Sequence, residues 1–327
     1  PGSLSNSKDI VIDTTAPNAP NVTGTTPNNS ATPTWNWTSG GGGNGNFRCQ
    51  IDSESGTWNT TTNTFFTPAS PLGEGTHTLY VQERDAANNW SASGSFAIVI
   101  DLTAPNAPTV TGASPTNSTQ PTWYWSSNGG GNGNYRCKLD DANLEAGATA
   151  TTQLFFIPAS PLGTGSHTLY VQERDAAGNW SASGSHAIVI DTTTPAPPTI
   201  TGTTPTNNRR PTWTWSSTLP LPHTYQYRLG SASLSSETAV ETYTPGTELG
   251  EGTHTFYVRQ KNQAGTWSAE SSFDIRIDLT SPTVEINQKV GQADPANTSP
   301  LQFTAVFSEA VKDFTGASVT LSGTGSA

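Results

Sequence analysis

The sequence predicts an all-β chain: a tandem array of small β-sandwich domains, about seven strands each, joined by short Pro-containing linkers. Three observations carry that expectation. The motif Ile-Asp-Thr/Leu-Thr-x-Pro occurs four times, at residues 12–17, 100–105, 190–195 and 277–282; the period of about 90 residues is the length of one sandwich. Apolar and polar residues alternate over short stretches, and no stretch keeps the 3.6-residue period of a helix. Glycine and proline, 31 and 24 of the 327 residues, punctuate those stretches as turn signals.

The period sets the expected boundaries. Residues 1–12 read as the closing strand of a preceding repeat, 13–100, 101–190 and 191–277 as three complete domains, and 278–327 as an incomplete domain of a different subtype. Each repeat opens on a proline-rich lead-in such as Ala16-Pro-Asn-Ala-Pro20, suited to an edge strand that needs no ladder N–H. Next comes Pro33-Thr-Trp-Asn-Trp37, repeated at 121–125 and 211–215. Tryptophans two residues apart point to the same side of a strand, so each repeat has an inward pair for its core. A glycine-rich stretch at 40–45 reads as a flexible hairpin loop, followed by a strand in which Phe47, Cys49 and Ile51 share a face. The long strand after Gly75 turns Leu79 and Val81 inward, and Glu83 continues that phase. The turn at 86–89 leads through Trp90 to a closing strand with Phe96, Ile98 and Ile100 on one face. Strands of this number and spacing are the pattern of an Ig-like sandwich. The third repeat keeps the frame residues but replaces the glycine loop with Leu219-Pro-Leu-Pro222.

Composition excludes several functions. The net charge of −11 leaves no basic stripe to neutralise phosphates, so nucleic acid is not an expected partner. No apolar run reaches membrane-spanning length. Cys49 and Cys137 are the same position in successive repeats, which makes them core residues rather than a disulfide pair.

These residues resemble tandem bacterial Ig-like domains of very large extracellular proteins, notably repeat-built adhesins. The likeness rests on the junction Asp101-Leu-Thr-Ala-Pro-Asn-Ala-Pro108 and the turn Arg174-Asp-Ala-Ala-Gly-Asn179, and it covers residues 1–277. It implies a secreted or cell-surface array, extracellular and often stiffened by calcium at domain junctions.

The repeats also test each candidate site. Gly40-x-Gly42-x-x-Gly45 matches a dinucleotide fingerprint, but it joins two strands and is lost in the third repeat. His77, His167 and His254 recur at one position, which favours a structural role over catalysis. Glu83 and Glu173 become Gln260, so no pair of carboxylates is repeated for glycoside hydrolysis; pairing with Arg48, Arg84 or a backbone turn is the expected role. The junction aspartates Asp13, Asp101, Asp191 and Asp278 are the candidate Ca2+ ligands, with Asp85 and Asp175 as contributors; calcium needs several hard oxygens, and a seam can gather them. Trp90, Trp180 and Trp267 each follow a polar turn and are the candidate ligand-binding residues, for stacking on a sugar ring.

The expected function is a non-catalytic stalk or adhesin segment with neighbouring repeats as its partners. Two alternatives stand beside it. One is a carbohydrate-binding array with a cell-surface glycan or a surface receptor as partner. The other is a filament subunit, in which identical chains complete each other's terminal domains by strand addition.

Overall fold

The computed structural model describes residues 10–293 and 300–320. The chain divides into two compact units, Pro1–Thr193 and Thr194–Ala327, and among the described residues regular structure is β apart from one 3₁₀ turn. It is a tandem array of Ig-like β-sandwiches.

The first unit holds two sandwiches. In the first, β1 (Asn21–Thr23), β2 (Trp35–Thr38) and β5 (Phe65–Phe66) form one antiparallel sheet in the order β1-β2-β5. The second sheet is β4-β3-β6-β7, from β3 (Asn46–Ile51), β4 (Asn59–Thr61), β6 (Gly75–Arg84) and β7 (Gly94–Ile100). The next sandwich repeats this order. Its β8 (Thr109–Gly112), β9 (Trp123–Ser126) and β12 (Phe155–Phe156) make the three-stranded sheet. Its β10 (Asn134–Leu139), β11 (Thr149–Thr151), β13 (Gly165–Arg174) and β14 (Gly184–Ile190) make the four-stranded one. Ile10, Val11 and Ile12, expected as the end of a closing strand, are exposed and pair with no described strand; residues 1–9 of that expectation lie outside the described residues.

The second unit contains a sandwich of sheets β15-β16-β18 and β17-β19-β20. Its strands are β15 (Thr199–Gly202), β16 (Trp213–Ser216), β17 (Thr224–Leu229), β18 (Thr242–Tyr243), β19 (Gly252–Lys261) and β20 (Ser271–Ile277). It has six strands rather than seven, because the counterpart of β4 shrinks to a single bridge between Tyr225 and Thr238. A hairpin of β21 (Val284–Gln288) and β22 (Phe303–Phe307) follows, then a 3₁₀ turn at Gly316–Ser318. Val284, Ile286 and Phe303 on that hairpin are exposed.

Strand alternation builds each core. Trp35 and Trp37 are both buried on β2, with Asn36 between them exposed. Against them lie Phe47 and Cys49 from β3, Leu79 and Val81 from β6, and Ile98 and Ile100 from β7. Trp35 also ties β2 to the opposite sheet, since its Nε1 donates to the carbonyl of Phe96 at 3.0 Å; Trp123 does the same to His186 at 3.0 Å. Emptying such a position to alanine costs about 3–5 kcal/mol. The third sandwich fills the same volume with more aromatic carbon: Phe256 stands in place of Leu79 and Tyr227 in place of Cys49. Phe256 stacks on Trp213 at 5.3 Å and on Tyr243 at 5.0 Å.

Candidate functional site

The junction between the first two sandwiches turns on Asp101, directly after β7. Its N–H donates to the carbonyl of Asn28 in the first sandwich at 3.0 Å. Its carbonyl accepts from Nδ2 of Asn179 in the second sandwich at 2.8 Å. The side chain stays local, Oδ1 accepting the Thr103 N–H at 3.1 Å, which is a turn-forming bond that aspartate favours. Glu74 closes the same corner by accepting from Leu102 N at 2.9 Å and from Thr103 Oγ1 at 2.7 Å. One linker residue is therefore held by hydrogen bonds from both domains.

Asp175 aims the asparagine that makes this bond. Its Oδ1 accepts from Gly178 N at 2.6 Å and Asn179 N at 2.8 Å, and its Oδ2 accepts from Asn179 Nδ2 at 2.8 Å. Burial pushes the Asp175 carboxyl up, but these donors outweigh it and hold it below the usual carboxylate range. The first sandwich has the same latch: Asp85 holds Asn89, whose Nδ2 donates to the Asp13 carbonyl at 2.9 Å. There the Asn89 side-chain bond is the main cause that lowers the Asp85 carboxyl.

The four junction aspartates share one local arrangement. Oδ1 of Asp13, Asp101, Asp191 and Asp278 accepts the N–H two residues on, from Thr15, Thr103, Thr193 and Thr280. The N–H of Asp191 and of Asp278 repeats the Asp101 bond to the preceding sandwich, donating to the carbonyls of Thr116 and Thr206 at 2.9 and 3.0 Å. Among the described residues no three His, Cys, Asp or Glu side chains converge as a metal site. Asp85 and Asp175 spend both carboxylate oxygens on their own turns. Calcium takes six to eight oxygens, and these donors do not supply such a shell.

The turn tryptophans are half-buried and carry cations. Arg48 lies over the Trp90 ring at 4.3 Å and Arg84 at 5.5 Å. Arg136 and Arg174 repeat this on Trp180 at 4.4 and 5.7 Å. Arg259 and Lys261 do so on Trp267 at 4.6 and 5.2 Å. Each ring is thus a cation–π platform, where the sequence suggested a free face for a sugar. Beside it opens a cleft of about 410 Å³ in the first sandwich and about 670 Å³ in the second.

Glu83 and Glu173, 1% exposed, hold a backbone turn, one of the expected roles, and do not pair with Arg48 or Arg84. Glu83 accepts from Ser39 Oγ and from Gly45 N, and Glu173 accepts from Ser127 Oγ at 2.6 Å and Gly133 N at 3.3 Å. The glycine loop, expected as a flexible hairpin, instead joins β2 to β3 in the opposite sheet and folds over a buried carboxylate as a cap. A Cβ on Gly43 would lie 2.0 Å from the Glu83 carboxyl carbon, so close approach explains the glycine.

The histidines are structural latches. His77 Nδ1 meets Asp52 Oδ2 at 2.7 Å and Nε2 meets the Gly73 carbonyl at 3.1 Å; His167 repeats both bonds with Asp140 and Gly163. With acceptors at both nitrogens, the imidazolium satisfies both. The bond to Asp52 is the main cause that raises the His77 pKa, and Asp140 acts likewise on His167. Asp52 and Asp140 are left-handed at φ 59°, and glycine (Gly230, φ 56°) replaces them in the third sandwich. Burial pushes the Cys49 thiol up to about 11, as expected of an unreactive core residue. Sequence reading missed Asn89, Asn179, Glu74 and the arginine partners of the tryptophans. The signal for the first two was present as Asp-Ala-Ala-x-Asn, repeated at 85–89 and 175–179.

Residues 106–192 match the family model described as a bacterial Ig-like domain; the first sandwich repeats the strand order of that segment, and the third repeats it without the counterpart of β11. No curated protein matches the chain. Among solved structures, the FN1–FN3 domains of chicken CNTN1 align at 14% identity over 80% of this chain and 99% of that one, with a TM-score of 0.36. The fibronectin(III)-like modules of Clostridium thermocellum CbhA align at 14% identity over 52% of this chain and 94% of that one, with a TM-score of 0.32.

Proposed function

We propose that this run of bacterial Ig-like repeats is a non-catalytic extracellular segment that spaces and displays the parts of a bacterial surface protein, as the stalk of an adhesin does. The observation that carries this reading is Asp101, bonded through its N–H to one sandwich and through its carbonyl to the next. A linker bonded from both sides resists bending, and repetition of such units sets distance. The groups that could do chemistry have structural partners: the histidines hold turns, the buried glutamates hold loops, and the thiols are in the core. No helix among the described residues is long and apolar enough to cross a membrane.

Limited proteolysis of the full chain tests the reading, because exposed mobile linkers are cut first. The expected result is that residues 100–108 survive longer than the loops around residues 53–57 and 141–147. First cleavage within 100–108 would contradict a clamped junction.

A further inference from the structure

The clefts beside Trp90 and Trp180 each hold a cation without a counter-ion. No Asp or Glu oxygen among the described residues lies within 4.0 Å of the Arg84 or Arg174 guanidinium, and buried Nε of Arg84 has no hydrogen-bond partner. This is unexpected in a chain with 25 acidic and 14 basic residues. The third sandwich shows what the position accepts. Lys261 occupies the place of Arg84 and Arg174, opposite Thr224 where they face Asn46 and Asn134. There the chain supplies its own carboxylate: Glu237 meets Lys261 Nζ at 2.6 Å and accepts from Thr224 Oγ1 at 3.2 Å.

Strand register identifies the residues that stand where Glu237 stands. Thr238 opposes Tyr225 as Thr61 opposes Phe47 and Thr151 opposes Tyr135. Glu237 therefore corresponds to Thr60 and Ala150, which have no charge, and both line the open clefts. The same fold fills this site with a carboxylate once and leaves it vacant of one twice.

From this we infer that the first two sandwiches each bind a carboxylate-bearing sugar, with Arg84 or Arg174 holding the carboxylate. A guanidinium pairs with a carboxylate through strong, directional hydrogen bonds. The remaining lining, Asn46, Thr61 and Thr62 in one cleft and Asn134 and Thr152 in the other, offers amides and hydroxyls that match sugar hydroxyls, while Asn132 is engaged by Asp175 and Asn134. The cleft volumes suit a small saccharide. Asp175 also borders the second cleft, but both its oxygens are engaged by Gly178 and Asn179. The proposal adds a binding activity and is independent of the spacer role.

The experiment is NMR titration of the full chain, at low and high salt, with a galacturonate disaccharide, the neutral galactose disaccharide and a Glu-Gly-Glu peptide. The expected result is saturable binding of galacturonate alone, at two sites, with Trp90 and Trp180 indole signals shifting and affinity falling with salt. Arg84→Gln with Arg174→Gln should weaken it at least about tenfold. Thr60→Glu with Ala150→Glu, which installs the third sandwich's own carboxylate, should abolish it while the fold is retained. Absence of galacturonate binding, equal binding of the neutral sugar, binding of the peptide alone, or full binding by the Glu-filled variant would each overturn the proposal.

Discussion

The first two sandwiches and the third share a frame and differ in how they satisfy the polar groups around it. In the first two, a buried glutamate under a glycine cap accepts from Ser39 and Gly45 or from Ser127 and Gly133. In the third, Gln260 occupies that position and donates instead, from Nε2 to the Ala196 carbonyl at 2.6 Å; the loop above it is built from leucine and proline. The histidine latch keeps its carbonyl bond, His254 Nε2 to Gly250 at 2.8 Å, but has glycine where the first two have aspartate. The difference teaches that the buried carboxylate and its glycine cap exchange as a set, whereas the histidine is kept without its aspartate. The core tolerates aromatic enlargement, while the polar position under the cap changes together with its loop.

Swapping one member of a set should therefore cost more than replacing a frame residue by a similar one. Gln260→Glu removes the bond to Ala196 and buries an unpaired carboxylate, for an expected loss of about 3 kcal/mol or more in the third sandwich. Glu83→Gln leaves one donor of the glycine cap facing an amide N–H, for an expected loss of about 1–3 kcal/mol in the first. Chemical unfolding of each variant measures both. Equal, negligible losses would break the idea of matched sets.

The histidines give a smaller effect with a defined sign. His77 and His167 have pKa values raised by Asp52 and Asp140, so their contribution is complete below the free value of about 6.5 and is lost as pH rises through the raised folded value. Thermal unfolding of the full chain should weaken over that interval, and Asp52→Asn with Asp140→Asn should flatten the profile and cost about 1 kcal/mol per site at pH 6. A profile unchanged by the double variant would refute the latch. The smallest expected effect is that of calcium: with carboxylates committed to their own turns, millimolar calcium and chelator should give the same unfolding temperature within about 1 °C. A rise of several degrees in calcium would establish native-state binding and restore the junction aspartates as ligands.

The fold was legible because its determinants are periodic. Alternation placed Trp35, Trp37, Leu79, Val81, Ile98 and Ile100 inside, and the repeat placed one sandwich pattern after another. Polar partnerships were less legible because they join residues distant in sequence. Glu83 meets Ser39 across 44 positions and Asn179 reaches Asp101 across 78, and neither spacing leaves a periodic trace. The tryptophan platforms were hidden for the same reason: Arg48 reaches Trp90 from another strand, which only register reveals.

The central claim is that Asp101 is clamped by both sandwiches, and distance measurement across that junction tests it most directly. Spin labels at Glu54→Cys and Glu145→Cys, both exposed positions, report on the first and second sandwiches while Cys49 and Cys137 remain buried. The account predicts one narrow distance distribution in the otherwise native chain, broadened by Asn179→Ala. A broad distribution in the native chain, or one that Asn179→Ala leaves unchanged, would contradict it.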